Sequence, residues 1–108
     1  MAKGYWVVGV TINDGEAYQK YIAANAEAMR KYQARFLVRA GTREVLEGSA
    51  RDRVVVIEFP SYQMALDCYQ SPEYSQARAL RLDVSEGDVV IIEGYDGPQP
   101  DGSQPDGS

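Results

Sequence analysis

Three segments of the chain lack the alternation of a half-buried strand. Val54-Val55-Val56-Ile57-Glu58-Phe59 and Val89-Val90-Ile91-Ile92 are apolar at nearly every position, and Tyr5-Trp6-Val7-Val8-Gly9-Val10 is close to that. Successive side chains of a strand point to opposite faces, so runs of this kind call for cover above and below. Between them lie stretches of helical period. Asn13-Asp14-Gly15-Glu16 marks a helix start, with Asn13 as the cap and Glu16 at capping-box spacing. Tyr18, Ile22, Asn25, Met29 and Tyr32 then form one stripe, widened by Tyr21 and Ala28, while Lys20, Glu27, Arg30 and Lys31 lie off it.

The rest of the chain reads in the same way. Ala34–Ala40 is a second strand, with Phe36, Val38 and Ala40 on one side and Arg35, Leu37 and Arg39 on the other. Its mixed polarity suits a sheet edge. Gly41 reads as a bulge, after which Val45-Leu46-Glu47 extends the strand toward a turn at 48–52 and a long hairpin with Arg53–Phe59. Pro60-Ser61 ends that strand and caps a helix carrying Tyr62, Ala65, Leu66 and Tyr69. Ser71-Pro72 restarts it, with serine at the cap and proline at the first helical position. This piece runs to about Leu82, with Tyr74, Ala77 and Arg81 on one side. Glu86-Gly87-Asp88 reads as a turn and Val89–Tyr95 as the last strand.

Strand, helix, strand, strand, helix, strand is the order of a βαββαβ plait. Right-handed crossovers give a four-stranded antiparallel sheet of order 4-1-3-2 with the helices on one face, an α+β ferredoxin-like fold. The first and third strands are then central. The fourth is an edge, and an apolar edge invites association. Helices on one side leave the other face bare. If about eight aliphatic side chains there were buried at roughly 1.5 kcal/mol each, the gross gain would be on the order of 10 kcal/mol, partly offset by the entropy of docking. The pattern therefore predicts self-association, as a homodimer or a higher oligomer.

Several fragments in this order carry a family resemblance. They are Lys3-Gly4-Tyr5-Trp6, Arg35-Phe36-Leu37-Val38-Arg39-Ala40-Gly41 and Val45-Leu46-Glu47-Gly48, followed by Val56-Ile57-Glu58-Phe59-Pro60-Ser61, Tyr69-Gln70-Ser71-Pro72-Glu73-Tyr74 and Ile92-Glu93-Gly94. The chain thus resembles the small bacterial family known as domain of unknown function 1330, in the dimeric α/β-barrel superfamily. The resemblance spans about residues 2–95. It implies two plaits packed sheet to sheet and no settled reaction. The wider superfamily includes cofactor-free monooxygenases, lactone isomerases, haem enzymes and ligand-sensing domains, and shared fold alone does not choose among them.

Composition narrows the chemistry. The 108 residues suit one domain over 1–95 and a tail over 96–108, in which Gln99-Pro100-Asp101-Gly102-Ser103 is repeated as Gln104-Pro105-Asp106-Gly107-Ser108. A segment so rich in Pro, Gly, Asp and Ser builds no core and reads as a flexible tail, or as one ordered across a neighbouring subunit. Net charge is −5, and removing Asp96, Asp101 and Asp106 leaves −5 + 3 = −2 for the body. There is no basic stripe, so nucleic acid is not an expected partner. No run approaches the length of a membrane span, and a single cysteine, Cys68, permits no internal disulfide. The chain reads as a soluble protein of a reducing cytoplasm.

Histidine is absent, which removes a proximal haem ligand and a histidine-based triad, and one cysteine makes no zinc-thiolate cluster. No glycine-rich phosphate loop is present. No metal and no cofactor is therefore assigned. The remaining candidates are charges inside apolar strands: Arg39 to hold a carboxylate or enolate, and Glu58 or Glu93 to accept a proton. A structural Arg39–Glu58 ion pair across the hairpin is the competing reading. Among eight tyrosines, Tyr18, Tyr32, Tyr69 and Tyr74, with Arg81, are candidates to line a ligand pocket, or else amphipathic core. Cys68 reads as a buried, inert thiol beside Asp67. The leading expectation is a homodimer binding a small organic molecule between sheet and helices. The alternatives are a cofactor-independent isomerase or monooxygenase acting on an activated carbonyl or phenolic substrate, and a structural or interaction module without a pocket.

Overall fold

Trp6 sits where the sheet meets the helices and organises the interior around it. The computed structural model describes residues 2–103. Its elements are β1 (Gly4–Ile12), α1 (Gly15–Lys31), β2 (Arg35–Arg39), β3 (Arg53–Phe59), α2 (Tyr62–Gln70), α3 (Pro72–Arg81) and β4 (Ser85–Glu93). The strands form one sheet in the order β2-β3-β1-β4, antiparallel throughout. This is the predicted order read from the other edge, and the fold is the α+β ferredoxin-like plait.

The register divides the sheet into two faces. On the helix side Phe36, Ile57, Trp6 and Ile91 lie in one row across the four strands, and Arg39, Val55, Val8 and Val89 in the next. On the other side Val38, Val56, Val7 and Val90 form a row. The helix side is packed: Trp6, Val10, Val55, Ile57 and Phe59 are buried. The other side is not. Val7 is 40% exposed, Val38 44%, Val90 54% and Ile92 52%. The two-sided apolarity of the strands is thus real, and one side carries no helix.

The caps explain where the helices begin. Ser61 accepts from the backbone N–H of Met64, and Ser71 from that of Tyr74, with Pro72 opening α3. Helix α1 is capped by Asp14, not Asn13. The Asp14 carboxylate accepts from Ala17 N–H, while the Asn13 N–H is bonded to the Val84 carbonyl at 2.8 Å. The stripe then buries Tyr18, Tyr21, Asn25, Ala28 and Met29.

Three expectations are corrected. The long hairpin does not form: β2 stops at Arg39, Ala40 takes a left-handed φ of 54° that turns the chain outward, and Val45 and Leu46 are exposed without strand partners. The irregularity in β2 is at Leu37, between Phe36 and Val38, and not at Gly41. Glu86-Gly87-Asp88 is no turn but the start of β4, opposite Thr11, Val10 and Gly9. Gly87 is there because the strands approach closely; a Cβ at that position would meet the Gly9 carbonyl oxygen at 2.7 Å. In the tail, residues 99–103 close a turn through Gln99 N–H to the Ser103 carbonyl at 2.9 Å. Residues 104–108, the second copy of the repeat, lie outside the described residues.

Around Trp6 the rings of Phe59, Tyr69 and Tyr74 have centroids at 5.2, 5.7 and 4.9 Å, the last two edge-on. Its indole N–H donates to the Ala65 carbonyl at 2.9 Å, so the one polar atom of the ring is satisfied. Close packing of α2 on β1 requires glycine at position 4, where an added Cβ would lie 2.5 Å from the Ser61 oxygen and 2.6 Å from Tyr62 Cα. Both are backbone atoms at a helix start. Gly4→Ala is therefore expected to destabilise the fold by about 1–3 kcal/mol, the range of an overpacked core, read as a lowered urea midpoint.

Cys68 is fully buried against the Ala28 carbonyl, 3.8 Å from Sγ. Burial, and secondarily the charge of Glu73 rather than Asp67, pushes its thiol up to about 12 from 9.0. The native thiol should resist a disulfide reagent at pH 8 and react once unfolded. The folded value is the higher one, so this contribution to stability is intact below about 9 and is lost as pH rises toward about 12. Urea midpoints across that window should fall more steeply for the wild type than for Cys68→Ala.

Candidate functional site

Between the sheet and the helices α1 and α3 lies a cavity of about 40 Å³, open on one side. Its buried walls include Trp6, Val55, Ile57 and Tyr74. Arg39, Arg53 and Arg81 also line it. Arg39 is exposed and marks the open side, whereas Arg53 and Arg81 are half-buried, like Val8, Ile22, Phe36 and Val89 of the same lining.

Each arginine arrives by a different route. Arg53 opens β3 and shares a face with Val55, Ile57 and Phe59 by simple alternation. Arg81 ends α3, about two turns beyond Tyr74, and its Nε donates to the Tyr74 hydroxyl at 3.3 Å. Arg39 arrives through a β-bulge. Pairing runs Arg35 to Glu58 and Phe36 to Ile57, then Val38 to Val56 and Arg39 to Val55, so Leu37 has no partner. Strict alternation would put Arg35 and Arg39 on one face. The extra residue moves Arg39 to the helix side, where its guanidinium lies 4.3 Å from the centroid of the Phe36 ring.

The tyrosines make the opposite wall. The Tyr21 and Tyr74 hydroxyls are 2.8 Å apart in a buried hydrogen bond, extended by Arg81 to a three-residue chain. The Arg81 guanidinium also lies 5.7 Å from the Tyr21 ring centroid. Burial first, then the Tyr21 neighbour, raises the Tyr74 hydroxyl well above the ordinary tyrosine value, against the opposing pull of Arg81. Tyr18 is raised as well, mainly by burial, with Arg53, Arg81 and Arg39 all pulling the other way. Both phenols are therefore neutral donors at ordinary pH and not bases.

Of the candidates read from sequence, Arg39, Tyr18, Tyr74 and Arg81 line this cavity. The others are placed elsewhere. Glu58 is on the uncovered face, accepting from the Tyr5 hydroxyl at 3.1 Å and standing opposite Arg35. It lies across the sheet from Arg39, so the proposed Arg39–Glu58 pair does not form. Glu93 is exposed at the far end of β4, opposite Gly4. Tyr32 ends α1 with the Lys31 ammonium 5.7 Å from its ring centroid. Tyr69 packs behind Trp6 with Arg78 at 5.9 Å from its ring centroid. Tyr21, on the same tyrosine-rich face of α1, also lines the cavity, as do Arg53 and Asn25, which the sequence pattern does not single out as site residues. Counting two residues back from Val55 assigns Arg53 to the buried face and would have found it.

This arrangement can hold negative charge. Among the described residues the ion pairs are Lys31–Glu73, Arg51–Glu86 and Arg51–Asp88, and none involves Arg39, Arg53 or Arg81. Among the described residues no carboxylate lines the cavity. No three His, Cys, Asp or Glu side chains gather as a metal-binding group among the described residues, so no residue is assigned to a metal. No helix among them is long and apolar enough to cross a membrane.

Known structures share the fold at low identity. A protein of unknown function from Rhodopseudomonas palustris superposes with a TM-score of 0.70 at 15% identity, over 87% of this chain and 83% of the other. SnoaB, a cofactor-independent oxygenase from Streptomyces nogalater, gives 0.63 at 10% identity, over 88% and 95%. A dimeric ferredoxin-like protein of unknown function from Thermobifida fusca gives 0.55 at 15% identity, over 85% and 89%. No curated protein matches. The sequence profile of the domain of unknown function DUF1330 matches residues 3–95, nearly all of the described fold, and the chain belongs to that family.

Proposed function

We propose that this protein is a homodimer that binds a small organic molecule in the cavity between the sheet and α1 and α3. The observation that carries the reading is the cavity itself: an apolar floor at Trp6 beside three arginines that have no carboxylate partner among the described residues. Binding sites combine apolar walls with a few convergent polar groups in this way. The enzymatic alternative, a cofactor-independent isomerase or monooxygenase, needs a proton acceptor beside the ligand. Glu58 and Glu93 both lie away from the cavity, which favours binding over proton transfer. The unpaired, buried Cys68 supports a reducing cytoplasm as the setting.

The dimer reading rests on the uncovered face. Its apolar row of Val38, Val56, Val7 and Val90 is bordered on one side by the Tyr5–Glu58 hydrogen bond and Arg35. On the other side Arg51 crosses Gly9 to pair with Asp88 at 3.1 Å. An apolar centre with a polar rim is the anatomy of a protein interface. That the Thermobifida fusca protein is described as dimeric supports the same reading.

Sedimentation equilibrium should report twice the 12.0 kDa chain mass at micromolar protein. Val7→Lys places a charge at the middle of the apolar row and should give a folded monomer, its circular dichroism unchanged. A wild-type mass of one chain would overturn the dimer. Native mass spectrometry of gently purified protein tests the binding reading, through a retained small molecule that Trp6→Ala releases.

A further inference from the structure

The three arginines of the cavity sit in a chain of net charge −5, yet none of them is paired with a carboxylate among the described residues. Carboxylates are plentiful nearby in sequence: Glu86 and Asp88 flank Gly87, which itself lines the cavity. Strand alternation turns both onto the other face, where they pair with Arg51. Glu58, Glu86 and Asp88 thus lie on one side of the sheet and Arg39 and Arg53 on the other. A guanidinium presents donors in a planar fork that matches a carboxylate.

The cavity also limits the size of the ligand. Its volume of about 40 Å³ is room for a few waters at about 10–15 Å³ each, which equals a short apolar group. The closed end is formed by buried Trp6 and Ile57, whose surfaces offer an aliphatic tail contact and no unpaired donor, since the Trp6 N–H is already bonded. Arg39, the exposed arginine of the lining, stands at the open end.

Resting on the binding reading above, we infer that the ligand is a short-chain carboxylate, its hydrocarbon end against Trp6 and its carboxylate held by Arg53 and Arg81, with Arg39 closing over the outer side. The Tyr18 hydroxyl, buried in the field of all three arginines, is the neutral donor beside that carboxylate. Selectivity follows from the geometry. A neutral amide of the same shape fills the floor equally well but meets donors where it offers fewer acceptors. A dicarboxylate would bring its second charge to the apolar end.

Trp6 is the only tryptophan, so its fluorescence reports the floor of the cavity directly. Titration at constant ionic strength with crotonate, its neutral isostere crotonamide, and fumarate supplies the test. Crotonate should saturate the signal, with crotonamide and fumarate each at least roughly tenfold weaker. Arg53→Gln and Arg81→Gln should each weaken crotonate by about the same factor while leaving crotonamide unchanged, and Arg53→Lys should restore part of the loss. Arg30→Gln, on the exposed side of α1, should have no effect. Equal binding of crotonate and crotonamide would overturn the carboxylate assignment and leave the cavity as a binding site. Failure of all three compounds to perturb Trp6 would overturn the carboxylate assignment, while a retained molecule in native mass spectrometry would still uphold the binding reading.

Discussion

One layer of sheet has to satisfy two apolar faces, and that constraint sets everything else. In β1, Trp6, Val8 and Val10 point toward the helices, while Val7 between them points away. The backbone of β1 is fixed by β3 on one side and β4 on the other, so neither set can move without the other. A slip of one residue would carry Trp6 out of its ring of aromatic neighbours and put Val7 in its place. The aromatic cluster around Trp6 therefore locks the register, and the locked register presents the valine row on the uncovered side. The proposed interface and the cavity floor are front and back of the same few residues: Val56 and Val7 stand directly beside Val55 and Val8. A partner seated on the valine row would stiffen the strands that carry the cavity.

The cavity depends on one local departure from regularity. Without the bulge at Leu37, β2 would display Arg35 and Arg39 together on the uncovered face, next to the apolar row. With it, Arg35 stays beside Glu58 and Arg39 crosses to the helix side. A single unpaired residue thus separates a charge that closes the rim of one face from a charge that faces the cavity on the other. Bulges are found where a strand must re-aim a side chain, at an edge strand above all, and β2 is one of the two edges.

The sequence disclosed this architecture unevenly, for physical reasons. Element order, sheet order and the serine caps of α2 and α3 were legible because each depends on local chemistry or on handedness rules: hydroxyls at helix starts, Pro72 at a first turn, apolar runs with no alternation. The cap of α1 was misplaced by one residue because Asn13 and Asp14 are equally able, and only the tertiary bond from Asn13 N–H to Val84 decides between them. Gly87 reads as a turn because glycine usually does; its actual reason is the backbone of β1 2.7 Å away, invisible to any local pattern. The site was half legible. Tyr18, Tyr74 and Arg81 follow from helical stripes, which point inward reliably. Glu58 and Arg39 were paired by assuming an unbroken hairpin, and the bulge put them on opposite faces.

The arginine cluster itself runs against the economy of the fold. Like charges near a partly enclosed space repel, and removing even part of their hydration is costly. The usual remedy is a neighbouring carboxylate, and this acidic chain has many. Instead Arg39 lies over Phe36, Arg81 over Tyr21 with a bond to Tyr74, and these contacts orient the guanidinium groups without neutralising them. A ring face holds a cation in place and leaves its edge donors free, whereas a salt bridge would occupy them. Natural sequences tolerate such local conflict mainly where a site requires it. The aromatic supports also tie Arg81 to the interior: Tyr21 and Tyr74 are buried and bonded to each other, so Arg81 inherits its position from the same core that Trp6 organises.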